Sequence, residues 1–471
     1  MVWKPEHKTG IPIYRQIMNW MVKQIEHGHW PAEMKLPTQR KLAEQLQVNR
    51  STVIQALEEL KADGLLTGKA GSGIYVSQPG WHELIHGAIP RWKERINQSL
   101  CQANSQTIQL INDFEKRTDI LRLGTGELGP ELIPSGALQG TMRQVAITER
   151  DFGYSEPKGH IQLRNALTDY LKTRGIQANA EQIVIVSGGI QALQLLSIGL
   201  NSGQLNMFHN SPSYLHSIPS ITSTSITSLD KMKLKSNQSF YYVIPTLNNP
   251  TGISLSAVER QELIKACAAV NLPIIEDDVY RDLAFEKPPL PLKSLDHNGQ
   301  VIYIGSLSKT VSPGLRIGWM VGPESVMDHL ADLKMQLDYG SSAIPQLVAA
   351  EWFRSGLYEQ HVSALKKQLK QRADFTEALL NTYFSDFAEW QSPQGGFYIW
   401  LRIKQPIVTK ALFQLLLKQN ILINPGYLYA PNDYEHIRIS YSYCSREELA
   451  RGLKKLAQEL KARLGGINNE H

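Results

Sequence analysis

One lysine carries the strongest chemical signal in this chain. The segment Gly305-Ser306-Leu307-Ser308-Lys309 follows the apolar run Val301 to Ile304 and leads into Pro313-Gly314-Leu315-Arg316-Ile317-Gly318. A lysine just past a buried strand can form a Schiff base with an aldehyde, the more readily when burial and nearby cations depress its pKa. Ser306 and Arg316 stand where they can hold a phosphate of the same ligand. Ser-x-x-Lys by itself says little, because most such lysines are surface charges. Other groups converge on it. Asp277 closes the run Pro273-Ile274-Ile275-Glu276, where a carboxylate can pair with a protonated pyridine nitrogen and keep that ring an electron sink. Tyr280, three residues on, can reach a ring hydroxyl, and the amide of Asn249 in Asn249-Pro250-Thr251-Gly252 can donate to the same oxygen. Each has a plainer reading alone, as a helix cap or a turn.

Three further segments supply what such a ligand needs. Ser187-Gly188-Gly189-Ile190-Gln191 lies between the run Ile183 to Val186 and a helix, where free N–H groups and the helix dipole make a phosphate seat. Tyr214, in Ser211-Pro212-Ser213-Tyr214, can stack on a flat ring, although a loop tyrosine more often simply packs. Arg438, in Ile437-Arg438-Ile439-Ser440, offers a guanidinium that can grip a carboxylate with two parallel hydrogen bonds; the plain alternative is a surface salt bridge.

The elements that must position these residues alternate from Leu121 onward. Short apolar runs such as Ile183 to Val186, Tyr241 to Ile244, Pro273 to Ile275 and Val301 to Ile304 are separated by amphipathic helical stretches. Runs of this kind suit strands buried on both faces of a mostly parallel sheet. At 471 residues the chain exceeds one ordinary core, so at least two domains are expected. A net charge of +5 is too small to mark a nucleic-acid binder, and Cys101, Cys267 and Cys444 are too few and scattered for a disulfide framework or a zinc site. No apolar run is long enough to cross a bilayer and no export leader is seen, which predicts a cytoplasmic protein without a membrane partner.

The N-terminal end has a different pattern. Ile13, Ile17, Met21 and Ile25 recur at four-residue steps, one face of a helix ending near Gly28. Pro37-Thr38 opens a second helix carrying Leu42, Ala43 and Leu46, and Asn49 or Ser51 can cap a third carrying Val53, Leu57 and Leu60. Leu65 to Thr67 and Ile74 to Val76 read as a hairpin around Gly68 to Gly73. In a helix-turn-helix the second helix enters the major groove. Arg50, Ser51, Thr52 and Gln55 lie off its apolar face, Arg40 and Lys41 begin the preceding helix, and Lys69 sits at the wing. The plain reading is a set of solvated polar faces.

Pro12 to Gly28, Leu36-Pro37-Thr38-Gln39-Arg40-Lys41-Leu42-Ala43, Asn49 to Val53 and Gly71-Ser72-Gly73-Ile74-Tyr75-Val76 together resemble the GntR family of winged-helix regulators. Met34 stands where that family usually has glycine, Asn49 replaces a common serine, and Gln55 replaces a frequent arginine. The last change removes a potential DNA contact, so the operator sequence is not inherited from relatives. From about Leu121 onward the chain resembles the aspartate-aminotransferase superfamily, the fold type I enzymes that use pyridoxal 5′-phosphate (PLP). This second resemblance implies that Lys309 forms the internal aldimine, that Asp277 pairs with the pyridine, and that Asn249 and Tyr280 hold the ring hydroxyl. It further implies stacking by Tyr214, phosphate contacts from Gly189, Ile190, Ser306 and Arg316, and carboxylate binding by Arg438. Tyr154, in Tyr154-Ser155-Glu156-Pro157-Lys158-Gly159, is implied to reach the phosphate in the partner subunit's site, which makes a homodimer the expected assembly.

A GntR-like head on such a body is the architecture of the MocR/GabR regulators. The expected layout is a winged helix-turn-helix over residues 1–78, a partly helical linker over 79–116, and a PLP-binding α/β domain over 117–471 with a smaller C-terminal α/β subdomain. The expected function is regulation of transcription from a double-stranded DNA operator, with an amine or amino-acid effector sensed by external aldimine formation at Lys309. A PLP-dependent aminotransferase whose head is secondary remains the alternative, and a noncatalytic interaction module is a third.

Overall fold

The computed structural model describes residues 3–6, 12–26, 29–69, 72–77, 104–200, 206–221, 223–225 and 239–468. They divide into two compact units, 1–118 with 408–420, and 119–407 with 421–471. The linker residues Trp81, Leu84, Ile85 and Trp92, and Cys101, lie outside the described residues, as do Gly28 and Gly71.

In the first unit, helix α1 (Ile13–Glu26) packs with α2 (Gln39–Leu46) and α3 (Arg50–Ala62). Ile17, Met21, Leu42, Leu46, Val53, Leu57 and Leu60 are all buried in one core, so the apolar spacing in the sequence does mark the inward faces. Thr38 caps α2 by accepting from Lys41 N at 3.3 Å, and Gln47 ends it in the left-handed region at φ 56. Asn49 takes the N-cap position of α3 without a side-chain cap bond. The wing is the antiparallel pair β1 (Leu66–Lys69) and β2 (Gly73–Val76). β1 starts one residue later than expected and runs on through Gly68 and Lys69, because Gly68 pairs with Ile74 and Lys69 with Gly73. Helix α4 (Gln106–Phe114) and the helix Lys410–Lys418 complete this unit. The latter is anchored on α3, with Lys410 2.6 Å from Asp63 and Gln414 Nε2 donating to Ala62 O at 3.1 Å.

The second unit is built on a seven-stranded sheet of β4 (Ile183–Val186), β5 (Asn206–His209), β6 (Ser223–Ser225), β7 (Ser239–Val243), β8 (Ile274–Asp277), β9 (Val301–Ser306) and β10 (Gly318–Val321), in the order β4-β10-β9-β8-β7-β5-β6. Only β10 runs antiparallel to its neighbours. β4, β8, β9 and β10 are buried at every residue, as continuous apolar runs require. β9 extends past Ile304 through Gly305 and Ser306, since these pair with Trp319 and Gly318. Gly305 cannot be larger: a Cβ there would lie 2.3 Å from the Trp319 indole. β7 stops at Val243, one residue short of the apolar run that suggested it.

β3 (Leu121–Arg122) pairs in parallel with β13 (Ile421–Leu422). β11 (Ala388–Glu389), β12 (Tyr398–Ile403), β14 (Asn424–Pro425) and β15 (His436–Ser440) form the smaller antiparallel sheet of the C-terminal part, in the order β11-β12-β15-β14. Cys267 and Cys444 are buried free thiols, each pushed up to about 12 by that burial. No described helix is long and apolar enough to cross a membrane.

Candidate functional site

Parallel strands bring their C-terminal ends to one edge of a sheet, which is where α/β folds place ligands. The β8–β9 register sets Asp277 beside Ile304, so the carboxylate and the Ser306–Lys309 segment emerge together. Asp277 is buried; its Oδ2 accepts from the Tyr242 hydroxyl at 2.7 Å and its Oδ1 from Val279 N at 3.4 Å. Burial pushes this carboxyl up to about 6 against the pull of the Tyr242 hydrogen bond. A cation placed against it would return it to the charged form. Lys309 Nζ donates to Gly126 O at 2.7 Å and lies 5.7 Å from the centre of the Tyr280 ring.

Around these two groups the remaining ring-binding candidates close in. The Tyr280 hydroxyl is 3.0 Å from that of Tyr398. Asn249 is buried and its Oδ1 accepts from Arg438 Nη1 at 2.8 Å, so Nδ2 is the end left to donate to a ligand. Burial raises the Tyr214 hydroxyl pKa, and the charges of Asp277, Tyr398, Tyr429 and Arg438 bear on it as neighbours. Arg438 is buried as well. Its Nη2 donates to Gly124 O at 2.7 Å, Tyr398 faces its guanidinium with ring centre 4.0 Å away, and Tyr429 stands at 5.1 Å. Arg438 Nε has no partner among the described residues. A buried cationic donor without an acceptor is costly, and a carboxylate is the kind of group that can supply the missing oxygen.

The phosphate seat is assembled where β10 pairs with β4. Gly188 has φ +111 and precedes the helix Gly189–Gly199, whose N-cap makes no side-chain bond, so first-turn N–H groups there are not capped by a side chain. Arg316 sits in the left-handed region at φ 55 and donates to Ser187 O. A Cβ on Gly188 would come within 3.3 Å of that guanidinium, so glycine keeps the approach open. Ser306 Oγ donates to Ile317 O and accepts from Ser308 N, both at 3.1 Å. The neighbouring Ser308 Oγ is buried with no partner among the described residues. Backbone donors, two serine hydroxyls and a guanidinium around one opening match a phosphate; Asp277 and Lys309 match the pyridine and aldehyde of PLP. The residues fit that cofactor.

Lys309, Asp277, Tyr280, Asn249, Tyr214, Ser306, Arg316 and Arg438, with the Gly189 and Ile190 turn, all lie in the second unit. Tyr154 is in that unit too, but its ring packs on Tyr339 at 4.6 Å and it is 81% exposed. Tyr242, Tyr398, Gly126 and Ser308 were not foreseen. For Tyr398 a signal was present, the Gly395-Gly396 pair ahead of an aromatic strand, with both glycines at positive φ. In the other unit Arg40, Lys41, Arg50, Ser51, Gln55 and Lys69 are exposed and Thr52 is half-buried. Arg40, Arg50 and Thr52 line one shallow concavity, where Arg50 Nη2 donates to Gln39 Oε1 at 3.2 Å.

Next to Asp277 on β8 lies a buried carboxyl with a measurable consequence. Glu276 is fully buried, accepts from Leu292 N and Lys293 N at 2.7 Å each, and is pushed up to about 8 by burial, then by the Asp278 charge. An acid raised on folding favours the protonated folded state, so its destabilising effect grows as pH rises from its unfolded value toward about 8. The buried His209 and the half-buried His216 and His361 are lowered and act only below about 6.5, while Lys334, lowered to about 8, acts above that. Between pH 6.5 and 8 the stability of the cofactor-free protein is therefore expected to fall by roughly 1–2 kcal/mol. Chemical denaturation across that range reads it, and a flat or rising profile contradicts it.

Comparison with known proteins places both units. Residues 13–76 match the family of bacterial regulatory proteins, gntR family, and residues 118–456 match aminotransferase class I and II. The HTH-type transcriptional regulator YisV of Bacillus subtilis, described as uncharacterized, is 44% identical over 97% of both chains. The HTH-type transcriptional regulator NorG of Staphylococcus aureus is 37% identical over 90% of this chain and 98% of its own. Among solved structures, Pyrococcus horikoshii kynurenine aminotransferase, in complex with PMP, superposes with a TM-score of 0.70 at 26% identity, covering 80% of this chain and 98% of that one.

Proposed function

Because this chain belongs to the HTH-type transcriptional regulators that join a GntR-family head to a class I and II aminotransferase domain, we propose that it senses an amino acid at its PLP site and changes its hold on an operator in response. Bound there, PLP supplies an aldehyde that joins amines and a ring that withdraws electrons. The effector's amine takes the place of Lys309 on that aldehyde, forming the external aldimine, while its carboxylate is drawn to Arg438. The observation that carries this reading is the buried Arg438 Nε, without a partner among the described residues, in the same unit as the Lys309 amine and the Asp277 carboxylate.

The residues of this chain divide the work. Asp277 holds the pyridine end, Tyr280 and Asn249 the ring oxygen, Tyr214 the ring face, and Ser306, Arg316 and the Gly189–Ile190 turn the phosphate. In the head, Arg50, Ser51, Thr52 and Gln55 read the major groove, Arg40, Lys41 and Lys69 hold phosphates, and the linker over 79–116 passes the change between the two. An effector shifts the equilibrium only by its differential affinity for two arrangements, so binding alone is not sufficient. The protein is proposed to work in the cytoplasm as a homodimer with Tyr154 reaching the partner's phosphate; Phe152 and Tyr154, which stand 74% and 81% exposed, support the dimer. Two heads on one dimer favour paired half-sites.

The test is anisotropy of a labelled operator fragment, found by footprinting, with and without PLP and a panel of amino acids. An affinity that changes only when both are present supports sensing, and an affinity indifferent to every combination refutes it. Arg50→Ala should weaken binding to any sequence and lower the salt slope by about one if Arg50 meets a phosphate, or relax one base position if it reads a base. Steady-state transamination with a 2-oxo acid, rather than a spectral change that stalls, would favour the aminotransferase alternative.

A further inference from the structure

From the geometry around β12 we infer that Tyr398 is a positioning residue that acts through Tyr280, making it a stronger donor to the ring oxygen of the cofactor. The inference rests on the PLP reading of the pocket and adds a residue to it. Tyr398 begins β12, is 3% exposed, and pairs across the sheet with Ser440, two residues from Arg438. Its hydroxyl meets two things at once. One is the Tyr280 hydroxyl at 3.0 Å. The other is the Gly126 backbone, close enough that a Cβ on Gly126 would lie 2.4 Å from the Tyr398 oxygen. Gly126 is the residue whose carbonyl accepts from Lys309 Nζ. The ring of Tyr398 meanwhile faces the Arg438 guanidinium. One phenol therefore touches the partner of the ring oxygen, the support of the lysine and the carboxylate grip.

A phenol has a single proton to donate. When Tyr280 spends its own on the ring oxygen, the contact at 3.0 Å can persist only with Tyr398 as donor and the Tyr280 oxygen as acceptor. Hydrogen bonds in such a chain strengthen one another. A stronger Tyr280 donor stabilises the ring oxygen as an anion, and an anion less available to the Schiff-base proton lets that proton leave at lower pH. Tyr398 thereby helps to set the pH at which the lysine-bound cofactor changes colour. Simple packing of the Tyr398 ring would leave that pH untouched.

The experiment is a pH titration of the visible absorbance of the PLP-loaded full-length protein, as wild type, Tyr398→Phe, Tyr280→Phe and the double variant, with melting temperatures as a check on folding. Tyr398→Phe should raise the midpoint by roughly 0.3–0.5 pH unit, Tyr280→Phe by more, and the double variant no further than Tyr280→Phe alone. Replacing Tyr398 with 3-fluorotyrosine, a better donor of nearly the same shape, should move the midpoint the other way and does not depend on the phenylalanine variants folding. Unmoved midpoints, or shifts that simply add, overturn the inference while the PLP reading stands. A wild type with no visible band on loading overturns both.

Discussion

A Lys309→Ala protein should bind its operator as tightly as the wild type without effector, yet ignore PLP and amino acid together. No adduct should survive borohydride, and no visible band should appear on loading. The substitution removes the amine that, among the described residues, is placed to join the aldehyde, while Asp277, Asn249, Tyr280, Ser306 and Arg316 stay where they are, so the pocket keeps its shape but loses the covalent tie that retains the cofactor. The fold should barely notice. Among the described residues Lys309 Nζ makes one hydrogen bond, to Gly126 O, whose loss costs about 1 kcal/mol. The expected change is thus the whole of the effector response against a small change in stability. Operator affinity and transcription that respond to effector equally in wild type and variant would defeat covalent sensing at Lys309. Mass spectrometry of the borohydride-treated wild type gives the complementary result, an adduct on residue 309.

The residues that hold this chemistry were legible for a simple reason. Asp277, Lys309 and the Gly188 turn follow apolar runs, and a buried strand delivers its last residues to one edge of the sheet whatever the helices between are doing. The head was legible from its four-residue apolar spacing. What stayed hidden depends on contacts between distant segments. Tyr242 lies in the middle of β7, and nothing in the pair Tyr241-Tyr242 says which ring turns toward Asp277. Tyr398 and Gly126 are 272 residues apart and meet only because the smaller sheet returns to the pocket. The limits of β9 were hidden too, since its last two residues owe their pairing to an antiparallel neighbour twelve or more residues later.

Arg438→Leu should separate the two halves of effector recognition. The buried guanidinium already spends one Nη on Asn249 and the other on Gly124, at 2.8 and 2.7 Å, so it is fixed in orientation before any ligand arrives. Its Nε has no partner among the described residues, and flanking rings of Tyr398 and Tyr429 exclude water from the charge. Removing one partner of a buried charge pair costs about 2–5 kcal/mol, which corresponds to an effector response shifted by roughly 30-fold at the least. Lysine should not restore it, because an ammonium cannot hold Asn249, Gly124 and a carboxylate in one plane. The cofactor band of the variant should persist, since Lys309 and Asp277 are untouched, and this separates lost recognition from a collapsed pocket. A simple amine without a carboxylate should act on variant and wild type alike. Equal sensitivity of both proteins to amino acids, with the band intact, would show that the carboxylate is gripped elsewhere and that Arg438 serves only to orient Asn249.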